Sequence, residues 1–402
     1  MINIFIIIIA LSLAGYLTFS KTLSNSESWR AMVTPLASII GSGFLISAPL
    51  LGNAVGAYAV FFMAILLLLA YAVGGAIRFN IQYFEPIAHQ KHGLAQDIAF
   101  TSRIVLIGAY FISITYYLQL LSAFVLKLLN VNHDILANIM TTFLLLTIGA
   151  VGIWKGLEKL ESLEKYTVSL NLGMIGALIF SLIYYNVTSI FEGSWQLPEI
   201  ATALNFEDMR VLLGLLIVVQ GFETSRYLGG EHPAAMRIAT MRKAQLISSF
   251  IYLVFIGLTT VLFHADMGAD VTAIISLTKP VATVLPLLLA IAAIGSQFSA
   301  SVADNSGAGG LLQDITNKRL PIKYAYLIIL AITVSLTWET NINQIIAYAS
   351  RAFALYYALQ CLVAFTVVSA RKELVSRRWK RNLYLLLTVV CLLVFLLGVP
   401  AG

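Results

Sequence analysis

Two short glycine motifs are the places in this chain where backbone could do chemistry: Gly41-Ser42-Gly43 and Gly221-Phe222-Glu223. Each lies midway along an apolar stretch of roughly 20 residues, the length that spans a bilayer. Glycine costs about 1 kcal/mol in a helix interior, so two glycines around a serine invite the helix to open. In hydrocarbon an unpaired backbone group is very costly, and such a break survives only where it lines a cavity or is buried in protein. Its chemistry follows from the helix ends. Freed N–H groups of an outer half-helix offer a positive pole to a carboxylate. Freed carbonyls of an inner half-helix suit an ammonium group or a cation. The plain alternative is a close-packing surface between helices.

Glu223 adds a carboxylate near mid-span, which must be protonated or paired. It either carries a coupling proton or, protonated, bridges two helices, and Arg226 one turn on is a candidate counter-ion. Arg351 lies within another apolar run, where it would pair with Asp304 or Glu223 or snorkel. Lys165, beside Glu161 and Glu164 near the boundary, reads as part of a surface salt bridge, with a built-in cation as the alternative. Tyr116 and Tyr117 would cover a solute or pack in the core.

The elements that position these residues are membrane helices. Hydrophobic residues make up 59% of the 402 and charged residues 11%, against roughly 25% charged in a soluble domain. Apolar runs fall near 2–19, 31–51, 57–82, 98–128, 135–154, 163–187, 208–230, 241–264, 281–305, 321–337, 342–370 and 382–400. Met1–Phe19 has no basic start and reads as a true span rather than a cleaved signal. With the N-terminus outside, 21 of the 25 Lys and Arg residues fall in or beside inside loops; Lys127, Arg210 and Lys279 fall outside. That is the positive-inside bias, and it predicts both termini on the outer side. The five tryptophans fall at or near span ends, as interfacial rings do. Cys361 and Cys391 sit in apolar runs, so neither a disulfide nor a metal site is expected. The two glycine motifs lie five spans apart. An odd number of helices per unit inverts the second unit, and paired interrupted helices in inverted halves point to a midplane binding site.

At these residues the chain resembles the amino acid–polyamine–organocation transporter superfamily. Its GSG[IV]F-like motif stands here as Gly41-Ser42-Gly43-Phe44, without the aliphatic residue before Phe. Its G-[FV]-E motif stands as Gly221-Phe222-Glu223, followed by Gly230-Glu231-His232-Pro233 and the basic Arg237, Arg242 and Lys243. The resemblance implies an all-α polytopic membrane protein of about 12 helices with a LeuT-like five-plus-five inverted repeat. Its repeats would cover residues 29–187 and 206–371, with discontinuous first and sixth core helices and added helices at 1–20 and 380–402. It implies that the substrate carboxylate is held at Ser42 and Gly43, beside Phe44, and the amino group by carbonyls near Ile39. Ile217, Gln220 and Gly221 would line the side-chain pocket, and Glu223 would link site to gate. Gln220 departs from the aromatic or small apolar residue expected there. In sodium-coupled relatives, hydroxyls of the eighth core helix join carbonyls of the first to hold sodium; Ser299, Ser301 and Asp304 are the matching candidates, oxygen ligands suiting a hard cation. The alternative is that these serines pack and Asp304 caps the helix.

The expectation is a secondary active transporter, an H⁺- or Na⁺-coupled amino acid symporter of the bacterial inner membrane, working by alternating access. An amine transporter and a solute-binding sensor that moves nothing are the alternatives. No cofactor and no nucleic-acid partner is expected beyond the coupling ion, the small solute and lipid. No HExxH, no histidine pair at helical spacing and no phosphate-binding loop supports an enzyme, and no filter motif supports a channel.

Overall fold

A computed structural model of the chain describes residues 2–88, 93–131, 133–157, 164–198, 205–264, 268 and 270–400, without the side chains of Ser24, Ser42, Glu164 and Lys165. The described residues form helices and no strands. The spans are α1 (Ile2–Phe19), α2 (Glu27–Val55), α3 (Ala59–Tyr83), α4 (Leu94–Leu128), α5 (Asp134–Lys155) and α6 (Glu164–Phe191). They continue with a divided α7 (outer half Phe206–Leu213, inner half Thr224–Tyr227), α8 (Ala234–Thr259), α9 (Leu285–Ile315), α10 (Ile322–Glu339), α11 (Ile342–Ala370) and α12 (Arg377–Leu397). Ten stretches are long and apolar enough to cross a bilayer. One of them, Glu27–Tyr83, turns at Gly56–Tyr58 and makes two crossings. With α7 that gives twelve among the described residues.

Local chemistry sets the ends. Ser26 caps α2 by accepting from the Trp29 N–H at 3.3 Å. Reciprocal capping boxes, Asn205 with Asp208 and Asn341 with Gln344, start α7 and α11, each pairing two donors the first turn would otherwise orphan. Polar pairs join elements at the same face. Arg237 at the start of α8 binds Glu85 just after α3 at 2.7 Å. Lys127 at the end of α4 binds Asp270 ahead of α9 at 2.9 Å. Twelve alternating crossings put the two members of each pair on one side of the membrane. α4 is the most enclosed helix, packed between α9 and α11; α8 lies on α2 and α3, and α12 on α11. α1 lies along α6, where a side chain at Gly173 would strike the Ala10 carbonyl at 2.5 Å.

Only one of the two expected breaks is present. α7 is interrupted, but α2 remains helical through Gly41-Ser42-Gly43. The physical reason is packing. A Cβ at Gly43 would lie 2.5 Å from the Val218 Cα, so the glycine admits the backbone of α7 rather than opening its own helix.

Candidate functional site

The break in α7 begins after Leu213, runs through a 3-10 turn at Leu216–Val219, extends at Gln220 and reverses at Gly221. Gly221 has φ +112°, a conformation that side chains resist. A Cβ there would also lie 2.5 Å from Ser38 Oγ and 2.8 Å from the Ile39 nitrogen of α2. The two helices thus meet backbone to backbone at both glycine motifs.

Groups freed by the break are paired from neighbouring helices. Ser350 of α11 donates to the Gly214 carbonyl at 2.6 Å and accepts from the Ile217 N–H at 2.9 Å. The Tyr252 hydroxyl of α8 lies 2.5 Å from the Val218 carbonyl and 3.0 Å from the Ile39 carbonyl, its one proton shared between them. Glu223, 1% exposed, accepts on one oxygen from the Gly221 N–H at 2.9 Å and from the Tyr357 hydroxyl at 2.7 Å. Tyr357 stacks on Phe222, centroids 5.1 Å apart. Thr224 donates to the Gly221 carbonyl at 2.8 Å. The partners supplied by other helices are polar side chains within apolar runs, and that placement is the signal by which Tyr252, Ser350 and Tyr357 could have been found in the sequence.

Beside the break lies a cavity of about 460 Å³. Thr34 and Ser38 of α2, Thr167 and Asn171 of α6, and Ser299 and Asp304 of α9 contribute its polar wall. It extends past Thr224 and Tyr227 to Glu231, and so towards the face that carries the Arg237–Glu85 pair. Its lining contains no Lys, Arg or His among the described residues. Phe44 of α2 packs on Tyr252 (5.3 Å, edge-on) and Phe255 (4.2 Å), and Tyr116 and Tyr117 are fully enclosed.

The expected site residues divide between these regions. Gly221 and Glu223 form the break itself. Ile39 and Ile217 are buried and engaged through their backbones, to Tyr252 and Ser350. Gln220 donates to the Tyr117 hydroxyl at 2.9 Å. Gly43 and Phe44 do not line the large cavity; they border a void of about 10 Å³ whose wall includes Gln297 and also Asn171 and Ser296, which the large cavity shares. Gln297 of α9, which sequence reasoning passed over, donates to the Gly41 carbonyl at 2.9 Å. Ser42 is on α2, but its side chain lies outside the described residues.

The cation trio of α9 separates. Ser299 and Asp304 line the cavity, and Asp304 accepts from Ser113 of α4. Ser301 is buried and turned back on the Phe298 carbonyl at 2.8 Å. The helix continues to Ile315, so Asp304 is not a cap. Arg226 turns from Glu223 to bind Gln360 of α11 and lies over the Phe84 ring. Arg351 reaches neither carboxylate and donates instead to the Phe395 carbonyl of α12 at 2.7 Å. Glu161 and the Glu164 and Lys165 side chains lie outside the described residues.

Residues 21–398 match the family model of an APC superfamily transporter. The chain belongs to that superfamily. This transporter is 42% identical over 392 residues to an uncharacterized protein of Aquifex aeolicus (strain VF5), the match spanning 95% of this chain and 94% of the relative. Its fold is similar to the crystal structure of a mutant manganese transporter of Eremococcus coleocola. The TM-score is 0.57 at 14% identity, over 92% of this transporter and 87% of that chain. That degree of identity speaks to the fold alone. Among the described residues no three His, Cys, Asp or Glu side chains form a metal-binding group.

Proposed function

We propose that this protein is a secondary active transporter of the inner membrane, moving an amino acid or related amine together with H⁺ or Na⁺ by alternating access. The observation that carries the reading is the polar cavity bordered by Ser38 of α2 and Thr224 of α7, the two residues that meet Gly221 at the break, with Phe44 packed on Tyr252 and Phe255 deeper between the helices. A cavity open to one face and ending at an interrupted helix is what a rocking or gating cycle requires. In this reading that face is the cytoplasm and both termini are outside, an orientation supported by the positive-inside bias. The repeats are assigned to residues 29–187 and 206–371, with α1 and α12 added around them.

In this reading the solute sits where α2 and α7 meet. Its carboxylate takes Ser42 and Gly43, beside Phe44, in a state where α2 has parted from α7 and has itself opened at that motif. Its ammonium takes the Ile39 carbonyl, displacing the Tyr252 hydroxyl that occupies it in the inward-facing state. Ile217 and Gln220 face the side chain. Glu223 ties occupancy of the break to α11 through Tyr357, and is the coupling carboxylate for a proton. For a sodium ion, Ser299 and Asp304 supply oxygens on the cavity wall; the orientation of Ser301 removes it from that set.

A thermal-shift screen of the purified protein against amino acids and common amines, with and without sodium, tests the solute class and the ion together. A stabilising amino acid or amine is the expected result, and sodium dependence would favour Ser299 and Asp304 over Glu223. Glu223→Gln keeps an acceptor for the Gly221 N–H but cannot titrate, so it should flatten the pH profile of uptake; an unchanged profile removes Glu223 from coupling.

A further inference from the structure

We infer that the end of the last span, residues 395–399, is a strap that positions the outer half of α7, and that Arg351 and Gly214 are positioning residues for the transport step. The inference rests on the alternating-access reading above. The outer half of α7 has eight residues, about two turns, and is cut off from the inner half by the break. Its position must come from neighbours, and the end of α12 provides much of it. The Val399 N–H donates to the Arg210 carbonyl at 3.2 Å. In return Arg210 Nε donates to the Leu397 carbonyl at 3.2 Å.

The approach is close enough to dictate residue type. A Cβ at Gly214 would lie 2.1 Å from the Val399 carbonyl oxygen, and one at Gly398 would lie 3.3 Å from the Gly214 nitrogen. Gly214 has φ −67°, so backbone conformation does not require glycine there; contact with the strap does.

The other end of the strap is fixed to α11. Arg351 donates to the Phe395 carbonyl at 2.7 Å, with its guanidinium 5.7 Å above the Phe395 ring. The preceding residue, Ser350, holds the Gly214 carbonyl and the Ile217 N–H. Two consecutive residues of α11 therefore grip the break, one directly and one through the strap. Any movement that parts the outer half of α7 from α11 must undo the strap. Its bonds belong to the state in which the outer side is shut.

The test is hydrogen–deuterium exchange of the full-length protein in lipid nanodiscs, comparing wild type with Val399→Pro and Arg351→Ala. Val399→Pro deletes one N–H and leaves the rest of the segment in place. Exchange over residues 206–219 should rise roughly fivefold, the factor equivalent to one hydrogen bond of about 1 kcal/mol. Exchange over residues 296–307, the stretch of α9 whose one face lines the inner cavity, should fall as the population shifts outward. Arg351→Lys, which keeps a donor, should restore most of the wild-type pattern. Unchanged exchange at 206–219 would overturn the inference. So would a rise at both segments, which is general loosening rather than a shift between states. Either result leaves the transport reading standing, because that reading is tested by uptake and not by exchange.

Discussion

Gly41-Ser42-Gly43 and Gly221-Phe222-Glu223 look alike in sequence and behave differently in structure. α2 passes through its motif as a helix, whereas α7 comes apart at its own. Glycine cost is similar in both, so it does not decide the outcome. What differs is the supply of partners. The freed groups of α7 meet Ser350, Tyr252, Glu223 and Thr224. α2 keeps its ladder, and its motif serves contact: Gly43 admits Val218, and the Gly41 carbonyl accepts from Gln297. In a membrane, a helix opens where its neighbours can replace the lost hydrogen bonds. One motif is the break and the other is the surface on which the break lies.

Substitutions can take that comparison apart. The largest effect is expected at Gly221. Gly221→Ala meets both a positive φ and the Ser38 and Ile39 backbone, and should cost about 3–5 kcal/mol from backbone strain plus overpacking. Thermostability in detergent should fall steeply, with uptake lost. Gly43→Ala brings a Cβ against Val218 without strain in its own helix, and should cost about 1–3 kcal/mol. Tyr357→Phe keeps the stack on Phe222 and removes the hydroxyl that Glu223 accepts from. It should cost about 1 kcal/mol, read as a small drop in melting temperature. Gly41→Ala is the smallest and has the opposite sign. Its Cβ would find only the Ser296 Cβ at 4.0 Å, and replacing a helical glycine should stabilise by roughly 0.5–1 kcal/mol. Equal losses at Gly41 and Gly43 would contradict the division of labour within the motif.

Much of the fold was legible from hydropathy, because crossing a bilayer constrains length and composition so tightly. The positions of the twelve spans could be read that way, and the break at Gly221 from the glycine and the glutamate two residues on. The intact α2 could not, because a glycine's local cost does not reveal whether its neighbour offers a donor. Arg351 was opaque for a similar reason: its acceptor, the Phe395 carbonyl, lies 44 positions away on another helix. The cavity face of α9 was within reach. Ser296, Ser299, Ala300, Ala303 and Gly307 follow helical spacing, and Ser301 falls on the other side of the helix. Counting oxygens grouped Ser301 with Ser299, whereas periodicity would have parted them.

The claim that the cavity beside the Gly221 break is a transport pathway is tested most directly by uptake into proteoliposomes. Purified wild-type protein and Gly221→Ala would be given the amino acid or amine that stabilises the wild type most, under imposed proton and sodium gradients. Gradient-driven accumulation by the wild type and none by the variant is the predicted result. Binding without accumulation, or equal accumulation by both proteins, would contradict it.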